Sequence, residues 1–223
     1  MATGSATQYP CPIGTYNARS QRASAVDCLP CDPGSYCATA GLAAVTGACS
    51  GGYYCTVASP SATPGDSATP AGYQTIYTMA TVAPMGYGGK CAAGSYCPAG
   101  SPIAAPCPAG HYCPSAGMTD SAMLTSLCEV GKYCEVGRTG AAGSLPVDCP
   151  AGHYCPVGSS AGIPCPAGTL RATAGATAVE QCASCPASQY CAAIGLAAPT
   201  GTCAAGYLCT GGARVAAPPS GLC

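Results

Sequence analysis

A seven-residue pattern, C-x-x-G-x-Y-C, recurs along this chain and constrains its folding more than any other feature. It reads CDPGSYC (31–37), CSGGYYC (49–55), CAAGSYC (91–97), CPAGHYC (107–113), CEVGKYC (128–134) and CPAGHYC again (149–155). CPASQYC (185–191) puts Ser188 in the glycine slot, and CAAGYLC (203–209) moves the tyrosine to Tyr207. A unit this short cannot bury a core of its own, so the repeats must be held by cross-links and by their neighbours. The chain has 21 cysteines in 223 residues, a density that belongs to oxidising compartments and to disulfide scaffolds.

A longer duplication contains the short one. Cysteines 11, 28, 31, 37, 49 and 55 return as 165, 182, 185, 191, 203 and 209, each displaced by 154 residues. The text between them matches as well: GLAAVTGAC (41–49) against GLAAPTGTC (195–203), and CPIGT (11–15) against CPAGT (165–169). The chain therefore divides into a first cysteine-rich module at 1–55, a differing stretch at 56–90, paired C-x5-C units at 91–164, a second module at 165–209 and a tail at 210–223. One full superrepeat and part of a second suggest a slice of a longer array.

Glycine in these units permits positive φ, and where proline follows the first cysteine, as in the CPAGHYC units, it presets a turn. Tyrosine then opens a short extended segment, its ring stacked on a disulfide and its hydroxyl outward. The expected fold is an elongated rod of small disulfide-rich repeats, with strands of two to four residues, many turns and almost no helix. Phe and Trp are absent, large aliphatics are sparse and Ala supplies much of the nominal hydrophobicity, so covalent links must replace a conventional core.

Only 7% of residues are charged and the net charge is −1. Nucleic-acid binding demands clustered Lys and Arg, so it is excluded as an expectation. No run of 18 apolar residues exists, so membrane insertion is not expected. Residues 1–10 hold no basic segment followed by an apolar stretch, which suggests that an export leader was removed or lies outside this sequence. A surface so poor in charge needs other cover: glycans, a partner or further copies of itself.

The stretch TVASPSATPGDSATPAG (56–72) has the composition of a linker or an O-glycan carrier, with Ser59, Ser61, Thr63, Ser67 and Thr69 as acceptors, and Pro60 and Pro64 if hydroxylated. YQTIYTMATVA (73–83) follows, rich in β-branched and aromatic residues and free of charge. It reads as an edge strand, paired within its own module or available to another chain. Tyr73, Thr75, Tyr77 and Met79 fall on one face, and Ile76 and Thr78 on the other.

Enzymatic signatures are missing, and no enzyme and no cofactor is expected. His111 and His153 hold a slot that Ser35, Ser95 and Lys132 fill elsewhere, which marks an exposed repeat position. The CxxC pairs 28/31 and 182/185 sit in six-cysteine modules, a poor match to four-ligand zinc sets. No Ser-His-Asp order or phosphate loop is present, and Asn17 precedes Ala-Arg, so there is no N-glycosylation sequon.

The C-x-x-C-x-x-G-x-Y-C text at 28–37 and 182–191, together with the CPAGHYC units, resembles the ephrin-receptor-like cysteine-rich repeat. That repeat is related in layout to the modules of tumour-necrosis-factor receptors. Such repeats occur in receptor ectodomains and in large protist and algal surface proteins. The resemblance implies an interleaved pairing: Cys11–Cys28, Cys31–Cys49, Cys37–Cys55, Cys91–Cys107, Cys97–Cys113, Cys128–Cys149, Cys134–Cys155, Cys165–Cys182, Cys185–Cys203 and Cys191–Cys209. Cys223 is left unpaired or intermolecular. A rival scheme closes each C-x5-C on itself and also leaves Cys223. The interleaved one is preferred on the resemblance and on its longer loops, worth about 3 kcal/mol each in the chain-entropy model.

The function expected from this reading is a structural subunit of an extracellular filament, hair or cell-surface coat. Its partners would be copies of itself and covalent glycans. Subunits would join through 73–83, with Cys223 reinforcing the contact. The alternative is a slice of a receptor or adhesin ectodomain that binds a protein or glycan.

Overall fold

The computed structural model describes residues 10–18, 27–66, 87–139, 145–219 and 221. Among them, regular structure is nearly all two-stranded antiparallel hairpins of two or three residues per strand. One six-residue helix, Asp120–Thr125, and a 3-10 turn, Val179–Gln181, complete the inventory. The expected class of small disulfide-rich repeats with short strands and almost no helix is the one observed.

The hairpins follow one rule. The fifth and sixth residues of a repeat pair with the residues that lead into the next repeat's first cysteine. Thr15–Tyr16 pairs with Leu29–Pro30, Ser35–Tyr36 with Gly47–Ala48, Tyr53–Cys55 with Gly88–Lys90 and Ser95–Tyr96 with Ala105–Pro106. Further along, Lys132–Tyr133 pairs with Val147–Asp148, His153–Tyr154 with Ile163–Pro164, Thr169–Leu170 with Ala183–Ser184 and Gln189–Tyr190 with Gly201–Thr202. The loop between the partners absorbs the differences in repeat length, so long insertions leave the hairpin register unchanged.

The chain forms two compact regions, 1–106 with 115–123, and 107–114 with 124–223. In both, the buried side chains are overwhelmingly the half-cystines. Among the described residues, the buried apolar side chains besides them are those of Ala58, Pro60, Pro64, Met118, Met123 and Ala176. Aliphatics large enough to build a core stand outside it: Ile103 is 69% exposed, Val136 63% and Ile194 63%. Sulfur therefore occupies the interior that Leu, Ile and Phe fill elsewhere. The tyrosines among the described residues are half-buried. Tyr36, Tyr54 and Tyr190 each cover the bare Cα of a glycine across the hairpin: Gly47, Gly89 and Gly201.

The disulfide pattern corrects the interleaved scheme. Cys11–Cys28 and Cys165–Cys182 form as expected. The other eight bonds close each unit on itself: Cys31–Cys37, Cys49–Cys55, Cys91–Cys97, Cys107–Cys113, Cys128–Cys134, Cys149–Cys155, Cys185–Cys191 and Cys203–Cys209. They replace Cys31–Cys49, Cys37–Cys55, Cys91–Cys107, Cys97–Cys113, Cys128–Cys149, Cys134–Cys155, Cys185–Cys203 and Cys191–Cys209. The physical reason is local geometry. The left-handed residue at the fourth position folds the heptapeptide back, so that the Cα atoms at its ends come within 5.8–6.3 Å, inside disulfide range. Tripling a loop's length gains only about 1 kcal/mol of closure entropy, too little to override a favourable native geometry.

Candidate functional site: the joint between repeats

The eight self-closed units have two relatives that lack the second cysteine. CPIGTYN (11–17) and CPAGTLR (165–171) share the pattern, with Asn17 and Arg171 in the seventh place. Cys11 and Cys165 have no partner within their units and bond to Cys28 and Cys182 instead. Asn17 is buried, and its Nδ2 donates to the Asp27 carbonyl at 2.8 Å, bracing the loop that carries Cys28. The signal for these two positions was present in the sequence as the shared C-P-x-G-T text.

Backbone hydrogen bonds join consecutive repeats in one arrangement. The fourth-position N–H donates to the seventh-position carbonyl of the next repeat. In the first region these bonds are Gly14 to Cys37 (2.9 Å), Gly34 to Cys55 (2.8 Å) and Gly52 to Cys97 (2.8 Å). In the second they include Gly110 to Cys134, Gly131 to Cys155 and Gly152 to Arg171, all 2.8 Å. The next repeat's first cysteine returns a bond, as Cys31 N–H to the Gly14 carbonyl (2.9 Å) and Cys149 N–H to that of Gly131 (2.8 Å).

A second turn, just past the seventh position, makes the other half of the joint. Its N–H reaches back to the preceding repeat's first cysteine: Gly41 to Cys11 (2.7 Å), Gly100 to Cys49 (2.8 Å) and Gly195 to Cys165 (2.8 Å). The carbonyl after it accepts the preceding repeat's seventh-position N–H, as Ser59 does from Cys37 (2.9 Å) and Ser159 from Cys134 (3.0 Å). Thus four backbone bonds, in addition to the hairpin, hold each such pair of repeats.

Contacts also reach past the nearest neighbour. The bare Cα of Gly34 faces the Gly100 carbonyl, two repeats on, and Gly52 faces that of Gly117. In the second region Gly110 faces Gly158, Gly131 faces Gly175, Gly152 faces Gly195 and Gly168 faces Gly212. A Cβ at any of these six would lie within 3 Å of the facing carbonyl oxygen. Their φ values, such as +84° at Gly34 and +81° at Gly152, also exclude side chains without strain. Glycine recurs here for two reasons, of which the turn is only one.

Several charges among the described residues have local partners. Lys132 Nζ lies 3.6 Å from Asp148 across its hairpin, and Arg138 pairs with Glu135. Lys90 sits 5.8 Å from the centre of the Tyr53 ring. The Tyr53 hydroxyl donates to Asp66, and this bond, followed by desolvation and then the carboxylate's charge, raises the phenol above its ordinary range. Asp32 raises Tyr16 likewise, first through its charge and then as acceptor of the 3.2 Å hydrogen bond from the Tyr16 hydroxyl. His111 and His153 are half-buried rather than exposed, because the fifth position lies in or beside the hairpin. Among the described residues, no cluster of His, Cys, Asp and Glu could hold a metal.

Two expected sites fare differently. Ser59 is fully buried, and its hydroxyl donates to the Ser61 carbonyl at 3.0 Å. It belongs to a joint and is removed from the glycan acceptors of the folded chain. Pro60 and Pro64 are buried too, while Ser61 and Thr63 are half-buried. Ser67 and Thr69, the strand 73–83 with Tyr73, Thr75, Ile76, Tyr77, Thr78 and Met79, and Cys223 lie outside the described residues. No protein-family model matches the chain, and no curated protein matches it.

Proposed function

We propose that this chain is a structural subunit of an extracellular filament, hair or cell-surface coat, self-assembling and O-glycosylated, built of ephrin-receptor-like cysteine-rich repeats. The observation that carries the reading is the inversion of its surface. Half-cystines fill the interior, while Leu29, Val57, Ile103, Val136, Val157 and Ile194 are roughly half exposed or more. With 7% charged residues, such a surface is not solvated by its own side chains. Cover by neighbouring copies and by sugars resolves that conflict. The disulfide density supports an oxidising compartment outside the cell. Among the described residues, no helix is long and apolar enough to cross a membrane.

The receptor or adhesin reading requires a patch of varied charged and aromatic groups on one repeat. Local pairing of Lys132, Arg138 and Lys90 speaks against it. Negative-stain imaging of purified protein separates the two: filaments or sheets support the structural reading, and dispersed single particles at all concentrations overturn it. The reading that subunits join through 73–83 rests on sequence alone. Replacing Ile76 and Thr78 with Lys should leave folded, unassembled chains, and filaments of normal length would exclude that segment as the joint. Intact mass tests the sugars. A mass equal to the bare disulfide-bonded polypeptide removes the glycan from the proposal.

A further inference from the structure

The disulfide connectivity has a mechanical consequence. Eight bonds each span six residues and lie inside one repeat. The other two each close a loop of 17, between the degenerate repeats at 11 and 165 and the cysteines that precede the next repeat. Among the described residues, no disulfide joins one self-closed repeat to another. Among the described residues of each region, a load applied along the chain therefore crosses the joints between self-closed repeats without a disulfide, through backbone hydrogen bonds, glycine contacts and hairpin packing. Cys11–Cys28 and Cys165–Cys182 reinforce the two joints that follow the degenerate repeats. In an interleaved scheme, covalent bonds would have locked pairs of repeats against the same load.

We propose that the chain is an extensible tether, whose joints open under tension while each disulfide-closed loop stays intact and re-forms its joint on release. Besides the half-cystines, the described residues offer few buried apolar side chains to the joints: Ala58, Pro60, Pro64, Met118 and Met123 in the first region, and Ala176 in the second. They are thus weak beside a covalent bond. Re-forming is local, because the closed heptapeptide already holds the first and seventh positions together, and these supply half the partners of each joint. Backbone pairs separated by about one repeat need little chain entropy to reunite. The property belongs to a single chain and holds whether or not copies assemble, so it stands or falls separately from the filament reading.

Single-molecule stretching of the oxidised, full chain between terminal handles tests it. Between Cys11 and Cys209 the limiting length should be roughly 470 Å, counting about 3.5 Å per residue outside the loops and one disulfide span across each. The same count gives roughly 360 Å for interleaved bonds and roughly 690 Å after reduction. Expected are a plateau near the first value, recovery of the short length on relaxation, and an increase of about 1.5-fold in the plateau on adding a thiol reductant. The variant Gly152→Ala should open at lower force yet reach the same oxidised length. A limit near the interleaved value, a chain that keeps its folded length until covalent rupture, or extension that does not reverse would each overturn the proposal.

Discussion

At the scale of single residues, the fourth position of the repeat is where backbone conformation and packing can be told apart. Ser188 occupies it with φ +64°, making the same two backbone bonds as its glycine counterparts, to Cys209 and from Cys203. A non-glycine residue in left-handed backbone costs about 1–2 kcal/mol, offset in part by the entropy glycine loses on folding. Ser188→Gly should therefore stabilise the second region by about 0.5–1 kcal/mol, read as a raised denaturant midpoint at unchanged slope. Gly152→Ala adds a collision with the Gly195 carbonyl to the same backbone penalty and should cost about 3 kcal/mol. Gly137→Ala has φ +78° but open space, and should cost only about 1 kcal/mol. Equal losses in the two alanine variants would show that the contact two repeats on is energetically silent. Two phenols give an independent check. Tyr16 and Tyr53 each donate to a carboxylate, so their neutral forms are favoured in the folded chain. That contribution is fully present below the ordinary phenol range and is lost as pH rises through the raised folded values. Ultraviolet titration should show late-ionising tyrosine that returns to ordinary behaviour in Asp32→Asn and Asp66→Asn.

At the scale of the repeat, what was legible in the sequence and what was not follow from different ranges of interaction. The fourth-position glycine, the two-residue strands and the cysteine interior are local consequences of C-x-x-G-x-Y-C. The pairing Cys11–Cys28 was also within reach, since it joins neighbours along the chain. The other eight pairings went astray because loop entropy and a family likeness were set against a geometry that only the folded turn reveals. The approach of Gly34 to Gly100 was beyond reach for a stronger reason: nothing in a heptapeptide announces which backbone will lie over it two repeats later. Ser59 illustrates the same limit. Its composition suggested a glycan carrier, yet its carbonyl closes a joint with Cys37, and that role depends on a partner 22 residues upstream. Peptide mapping of the unreduced chain should find Cys31 bonded to Cys37 and Cys149 to Cys155, with cross-links between distant cysteines confined to 11–28 and 165–182. Removing one local bridge, as in Cys149→Ala with Cys155→Ala, should cost about 2–3 kcal/mol. The loss should be felt in the adjoining repeats as well, since Cys155 accepts from Gly131 and Cys149 donates to it.

For the whole molecule, the balance of charge to exposed aliphatic surface decides how copies would hold together. Seven basic and eight acidic residues serve 223 positions, and several of those near hairpins are already paired within the chain. Few charges remain to make ionic contacts between copies. The surface instead offers aliphatic side chains such as Ile103, Leu124, Val136 and Val157. Association of this kind is insensitive to screening, because there is little charge to screen at a Debye length near 10 Å. It should weaken on cooling and strengthen with excluded salts such as sulfate, as apolar burial does. Light scattering on the oxidised protein should accordingly show the same particle size from roughly 0.05 to 0.5 M sodium chloride, a smaller size near 4 °C, and growth on adding sulfate. Dissociation by moderate sodium chloride would mean that the few charges carry the contact. The exposed aliphatics would then need cover of another kind, with sugar the remaining candidate in the proposed function.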